Sequence, residues 1–154
     1  MYHYEACGLP NVYLKNGYTL HKTRYGEGVT IEDVEDLHGA LANAIVSSPD
    51  ALSGDEFRFV RRQLELSQAA LAELLGCDEQ SVARWEKGQA KKIDSAAERL
   101  LRIIYRGEKG GDKKLKSVIE MLRTIEATPA AAKKFIAQEK NSRWHTEEKI
   151  AANG

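Results

Sequence analysis

The feature that most constrains this chain is the stretch Leu66–Gly88, where two short helical patterns flank a glycine. Ser67 stands where its hydroxyl can cap a helix, and strong helix formers follow it as far as Leu75. Gly76 is the expected end of that helix, because a left-handed residue after a helix favours glycine. Asp78 can then cap a second helix over 79–87. Two short helices joined by a turn of this length predict a helix-turn-helix motif.

The second helix carries polar side chains that suit the major groove of DNA. Val82 and Trp85 share its inward stripe. The outward positions are polar: Glu79, Gln80, Ser81 and Arg84. Glutamine can pair with adenine, arginine with guanine, and glutamate can accept from cytosine. On a helix outside such a motif, the same residues would indicate only a solvated surface.

Several positions at fixed spacing resemble the Cro/cI-type (Xre) helix-turn-helix family over residues 54–106. They are Ser67-Gln68, Leu71-Ala72, Gly76 and Trp85-Glu86-Lys87-Gly88. The resemblance implies a lambda-repressor-like helix-turn-helix bundle that binds DNA. It implies DNA contacts at the matching positions, which are Gln68, Glu79, Gln80, Ser81 and Arg84. It also implies a partly buried ion pair between Arg61 and Glu86, so Arg61 is not expected to contact DNA.

The distribution of charge locates the cations that could face phosphates. The net charge is zero, but residues 1–53 carry 3 Lys or Arg against 7 Asp or Glu, and residues 54–106 carry 10 against 9. The acidic first segment is therefore not expected to face DNA. Cations gather after the second helix, and we predict phosphate contacts for Lys87, Lys91 and Lys92. Arg58 and Arg62 are further candidates.

The whole chain is predicted to be mainly α, with three segments: 1–50, 53–106 and 107–154. In the first, Asn11–Lys15 and Tyr18–Tyr25 flank Asn16-Gly17, which is typical of a hairpin with a type I′ turn. A Gly26–Gly28 turn, a short strand at Val29–Ile31 and a helix over 33–46 follow. This segment is thus a small β-hairpin plus a helix.

The other two segments are predicted to be helical. A capping box at Ser53–Glu56 opens a helix over Gly54–Glu65, and a helix over 96–105 closes the DNA-binding domain. Gly107–Gly111 predicts a flexible joint. A C-terminal helical extension follows, with helices over Leu115–Ile125 and, after Thr128-Pro129, over 130–140. The polar tail from Asn141 is expected to fray.

Zinc is a separate question, because a β segment ahead of such a helix-turn-helix is similar to the MqsA/YgiT-type antitoxin regulators. Those proteins bind structural zinc through paired CxxC motifs, and this chain lacks them. Cys7 is the one matching cysteine, and a site would have to combine it with His3, His21 and His38, whose spacing does not suggest one. We predict no metal and no cofactor.

Composition and sequence patterns also bear on whether the protein is a membrane protein, a secreted protein or an enzyme. The chain of 154 residues is 42 % apolar and 30 % charged, as in ordinary globular proteins. No apolar run approaches the ~18 residues of a membrane span, and the N-terminus lacks the pattern of a secretion signal. Two cysteines seventy positions apart suit a reducing compartment, so we expect a cytoplasmic protein. Cys77 has no nearby histidine to activate it, and no enzymatic activity is predicted.

Two functions from different classes follow. The first is a sequence-specific transcriptional regulator, most simply a repressor, that binds a pseudo-palindromic operator in double-stranded DNA as a homodimer. Helices 96–105 and 115–125 are the candidates for the dimer surface. The alternative is an antitoxin, whose acidic N-terminal segment neutralises a toxin protein while the helix-turn-helix autoregulates the operon. A ligand sensor is a weaker third option, and no residue pattern indicates its ligand.

Overall fold

The computed structural model describes residues 1–125, 130 and 132–150. Contacts divide the chain into two compact units, Met1–Thr124 and Ile125–Gly154. The described helices all belong to the first unit: α1 (Val34–Ser47), α2 (Gly54–Gln63), α3 (Gln68–Leu75), α4 (Glu79–Glu86), α5 (Ser95–Lys109) and α6 (Lys113–Leu122). No helix in the described part of the chain is both long and apolar enough to cross a membrane.

Three two-stranded antiparallel ladders accompany the helices in the described residues. Their strands are β1 (Tyr2–His3), β2 (Tyr13–Leu14), β3 (Tyr18–Thr23), β4 (Gly26–Ile31), β5 (Lys133–Lys140) and β6 (Arg143–Ile150). Each strand pairs with its neighbour in sequence: β1 with β2, β3 with β4 and β5 with β6. The ladder β5–β6 belongs to the second unit.

The core of the first unit gathers side chains from both the N-terminal segment and the helices. Its most deeply buried large side chains include Phe57, Leu71, Val82, Leu101 and Ile104, all at 0 % exposure. The same cluster contains N-terminal side chains, namely Tyr4, Leu9, Val12 and Leu14. The N-terminal segment therefore contributes to the core that supports the helix-turn-helix.

The predicted N-terminal hairpin is wrong in its pairing. Asn16-Gly17 does not join two paired strands; β3 pairs with β4 through a turn at Arg24-Tyr25, and β2 pairs with β1. Leu14 is buried, so packing into the core draws β2 away from β3. Gly17 instead extends the other ladder, because its carbonyl accepts from the Glu32 N–H at 2.9 Å.

The predicted flexible joint at Gly107–Gly111 is also wrong at its start. Helix α5 continues through Gly107 to Lys109. Gly107 is buried, and a Cβ there would lie 2.1 Å from Ile119 Cδ1 and 3.0 Å from Leu115 Cγ. Glycine at this position thus lets α6 approach α5 closely, and this packing keeps the residue helical.

The predicted C-terminal helix over 130–140 and the frayed tail from Asn141 are wrong, because residues 133–150 form the hairpin β5–β6. The predicted helix start at Thr128-Pro129 lies outside the described residues. Asn141 and Ser142 both have positive φ, 53° and 61°, as a type I′ turn requires. Phe135, Ile136 and Trp144 favour strands, and the turn allows them to pair. In the residues of the C-terminal extension that the structure describes, α6 is therefore the one helix.

Candidate nucleic-acid interface

Helices α3 and α4 form the predicted helix-turn-helix, and their end groups are satisfied locally. The Ser67 hydroxyl accepts from the Ala70 N–H at 3.0 Å and caps α3. Gly76 ends that helix in the left-handed region with φ 72°. Asp78 caps α4 by accepting from the Ser81 N–H at 2.7 Å. The cap and stop positions that were predicted for α3 and α4 are confirmed.

Helix α4 has one anchored face and one exposed face. Val82 is fully buried, and the Trp85 ring meets Phe57 edge-on with centroids 5.8 Å apart. Glu79, Gln80 and Arg84 are exposed on the other side. Since the anchored face fixes the helix, the exposed side chains project from a rigid support.

Two of the predicted DNA contacts bond to each other in this structure. Arg84 Nη2 donates to the Ser81 hydroxyl at 3.1 Å, and Ser81 is half-buried. Hydrogen bonds from Ser81, with the charge of Arg84 as a smaller contribution, lower the pKa of Asp78. These contacts orient Arg84 along the first turns of α4, where base edges are reached in a major-groove complex.

Glu86 closes the other end of α4 with a buried ion pair, as predicted. Arg61 Nε donates to Glu86 Oε2 at 2.7 Å and Arg61 Nη2 to Oε1 at 2.8 Å, with the two residues 9 % and 3 % exposed. Burial on its own raises the pKa of Glu86. Hydrogen bonds from Arg61 and Gln68 and the charges of Arg61 and Arg58 outweigh burial, so the net shift is downward. The bidentate pair joins α2 to the end of α4.

Gln68 and Arg58 take part in the same network, which the sequence did not indicate. Gln68 Nε2 donates to Glu86 Oε1 at 3.1 Å, and Arg58 Nη2 donates to the Glu86 carbonyl at 3.1 Å. Arg58 Nε also lies 3.4 Å from Glu86 Oε1. A second N–H of the Gln68 amide and its backbone N–H at the start of α3 can still meet a phosphate. No local pattern marks these partners, because they depend on how α3 and α2 pack on α4.

The three predicted lysine contacts lie beside the end of α4. Lys87, Lys91 and Lys92 are all exposed, and Gln89 between them is exposed too. Ile93, at 6 % exposure, anchors the end of this loop in the core. The structure therefore places three exposed cations on the short segment that follows α4.

The residues that were considered for zinc bind different partners. His3 Nε2 lies 2.7 Å from the Pro10 carbonyl, His21 Nε2 lies 2.7 Å from Thr30 Oγ1, and His38 Nε2 lies 2.9 Å from the Tyr4 hydroxyl. Among the described residues, no group of three or more His, Cys, Asp or Glu is arranged to hold a metal ion.

Comparison with known proteins identifies the segment that holds this interface. Residues 54–107 match the model of a family described as a helix-turn-helix domain. The match begins at the first residue of α2 and ends within α5, so it includes both helices of the motif. No curated protein and no solved structure matches the chain significantly. The segment is a helix-turn-helix domain, which suggests DNA-binding regulation.

Proposed function

We propose that this protein is a sequence-specific DNA-binding transcriptional regulator of the Cro/cI (Xre) type that represses by occupying an operator. The observation that carries the proposal is the exposed polar face of α4, held rigidly by Val82 and the Glu86 network. A preorganised reading surface loses little conformational freedom on binding, which favours recognition of one sequence. The protein has no catalytic role in this proposal and acts in the cytoplasm.

The proposed contacts fall into two groups. Gln80 and Arg84 read base edges in the major groove, with Glu79 as an acceptor for cytosine. The remaining predicted contacts hold the phosphate backbone: Gln68, Ser81, Lys87, Lys91 and Lys92. Each good bidentate pair with a base is worth about 1–3 kcal/mol of discrimination, so specificity depends mainly on the first group.

Two copies are proposed to bind one operator, because a single module contacts too few base pairs for specificity. Helices α5 and α6 support a self-association surface. Ile103 is 49 % exposed on α5, and Val118 and Met121 are 54 % and 56 % exposed on α6. Exposed apolar side chains on two consecutive helices are candidates for a surface that associates.

The antitoxin function remains a second candidate on one observation. Leu20 and Tyr25, 55 % and 94 % exposed, lie in the hairpin β3–β4 of the acidic segment and offer apolar contacts to a basic partner. Tyr4 and Leu14 count against the antitoxin function, because they are buried in the protein's own core and are not available to a partner. Co-purification of a basic partner that is lost in Leu20→Asp would favour the antitoxin.

The experiment that tests the proposal is selection of bound duplexes from a random DNA pool, with sizing of the selected complex. The expected result is an enriched pseudo-palindrome whose half-sites lie about 34–36 Å apart, bound by two copies of the chain. A pool that shows no enrichment over repeated rounds would overturn sequence-specific binding. Enrichment of a single half-site bound by one copy would overturn the dimer.

A further inference from the structure

The hairpin β5–β6 separates its side chains into two chemically different faces. Residues directly opposite each other in an antiparallel ladder share a face, and successive residues alternate. One face carries Phe135 and Trp144, 63 % and 69 % exposed. The other face, which we call the basic face, has cations at both ends: Lys134, Lys140, Arg143 and Lys149.

The strand register places these cations directly opposite one another. Lys134 pairs with Lys149, and Lys140 pairs with Arg143. Like charges directly opposite each other destabilise a hairpin, so the protein carries two unfavourable pairs on one face. The carboxylate on this face, Glu147, lies 3.8 Å from Lys149 and offsets part of one pair. An anionic partner would relieve both repulsions.

We propose that the basic face is a second DNA-binding element, which holds the phosphate backbone while α4 reads the bases. The inference rests on the proposed function, because it assigns a further contact to the same DNA complex. All four cations are exposed and available to phosphates. Because the hairpin belongs to the same chain as α4, its contacts would add to those of the helix-turn-helix.

The separation of the two cation pairs suits the major groove of duplex DNA. The two cation pairs are six positions apart along β5, which corresponds to about 20 Å at about 3.3 Å per residue. The major groove is about 12 Å wide and admits a two-stranded β-ribbon. A ribbon that crosses the groove is longer than the groove is wide, so the cation pairs at its two ends can meet the phosphates on both sides.

The experiment measures how DNA affinity depends on salt, with a labelled duplex that extends past the selected operator on both sides. The test variant is Lys134→Gln/Lys140→Gln/Lys149→Gln. If each lysine neutralises one phosphate, the slope of log affinity against log salt becomes shallower by about 2.7. Between about 50 and 200 mM salt, wild-type affinity would then fall about 40-fold more than that of the variant.

Two controls separate a local contact from total charge. Lys15→Gln/Lys22→Gln/Arg24→Gln removes three exposed cations from the acidic N-terminal segment, which is not expected to face DNA, and should leave the slope unchanged. Replacing the three hairpin lysines with arginine should also retain the wild-type slope. An unchanged slope in the hairpin glutamine variant, or an equal change in the N-terminal variant, would overturn the inference. A different result would overturn the proposed function: the wild type would bind no duplex more tightly than random DNA.

Discussion

At the scale of single residues, Glu86 joins α4 to both α2 and α3. Its carboxylate accepts from Arg61 and Gln68, and its backbone carbonyl accepts from Arg58. Breaking a buried pair costs more than the pair itself contributes, because the remaining charge stays buried without a counterion. A change at Glu86 is therefore expected to affect both the stability of the protein and the position of the exposed polar face of α4.

Glu86→Gln is expected to lower the free energy of unfolding at neutral pH by about 3 kcal/mol, measured by urea denaturation. The folded-state pKa of Glu86 is depressed, so its contribution is complete above the unfolded pKa and is lost as pH falls through the folded value. The difference between wild type and variant should therefore be constant above about pH 4.3, the ordinary pKa of a glutamate side chain, and should shrink as the pH falls below it. Glu73→Gln, at an exposed position on α3, is the control. A difference that stays constant down to acid pH would contradict this assignment.

Arg84→Ala is expected to weaken binding to the selected operator by about 1–3 kcal/mol and to leave the unfolding midpoint nearly unchanged. Arg84 is exposed, and its guanidinium donates a hydrogen bond to the Ser81 hydroxyl on the same helix. Binding to operator and to random duplex is compared by fluorescence anisotropy. An equal loss on both would show that Arg84 contacts phosphate and does not read a base.

At the scale of elements, α2 and α4 approach each other closely at Gly54. A Cβ at this position would lie 2.4 Å from the Trp85 carbonyl oxygen and 2.8 Å from that of Glu86. Both are backbone atoms, so neither can move aside without moving the helix. Glycine at the first residue of α2 therefore sets the distance between the supporting helix and the end of α4.

Gly54→Ala is expected to destabilise the protein by about 1–3 kcal/mol, because one helix must shift. Operator affinity should fall with it, since α4 carries the proposed base contacts and its end must shift. The matched control is Gly39→Ala in α1, where an added Cβ meets nothing within 4 Å. That control should gain about 0.5–1 kcal/mol from the helix preference of alanine. Thermal unfolding of both variants measures these changes in stability. Equal changes in the unfolding midpoint of the two variants would contradict the close approach of α2 and α4 at Gly54.

The elements also show which local signals are reliable in this sequence. Ser67, Gly76 and Asp78 mark the ends of α3 and α4 correctly, because caps act within one turn of the backbone. The turn at Asn141-Ser142 is a weak signal for β5–β6, because serine rarely adopts positive φ, and the alanines and proline before it favour a helix. The pairing of β2 could not be predicted locally, since burial of Leu14 in the core decides it.

The contacts of the candidate site also divide into those that the sequence predicts and those that it does not. The outward positions of α4 followed from helical spacing, and the pair of Arg61 with Glu86 followed from the family resemblance. The bond from Gln68 to Glu86 joins residues on two helices. No spacing rule gives such a contact, because it depends on the crossing of α3 and α4.

At the scale of the whole first unit, Arg102 of α5 binds the end of α1 and the loop after it. Its guanidinium donates to the carbonyls of Val46 and Ser48, and to that of Asp50 at 2.6 Å. Glu98 holds the same guanidinium at 2.7 Å. Helix α1 has no basic residue in its last turn, so Arg102 supplies the positive charge that its C-terminus favours.

Arg102→Ala is expected to lower the free energy of unfolding by about 2 kcal/mol, since several carbonyls lose a charged donor together. Arg99→Ala, at an exposed position on the same helix, is the control and should change stability by less than about 0.5 kcal/mol. Urea denaturation of both variants measures the difference. Similar midpoints for the two would contradict the role of Arg102 in joining the segments.

The contacts of Arg102 also bear on the order in which the protein can fold during synthesis. Its partners Val46 and Ser48 lie 56 and 54 positions earlier in the chain. Residues 1–50 therefore leave the ribosome long before the helix that completes their packing. Helices α2, α3 and α4 emerge in between, so the helix-turn-helix is translated before the N-terminal segment can take its final place.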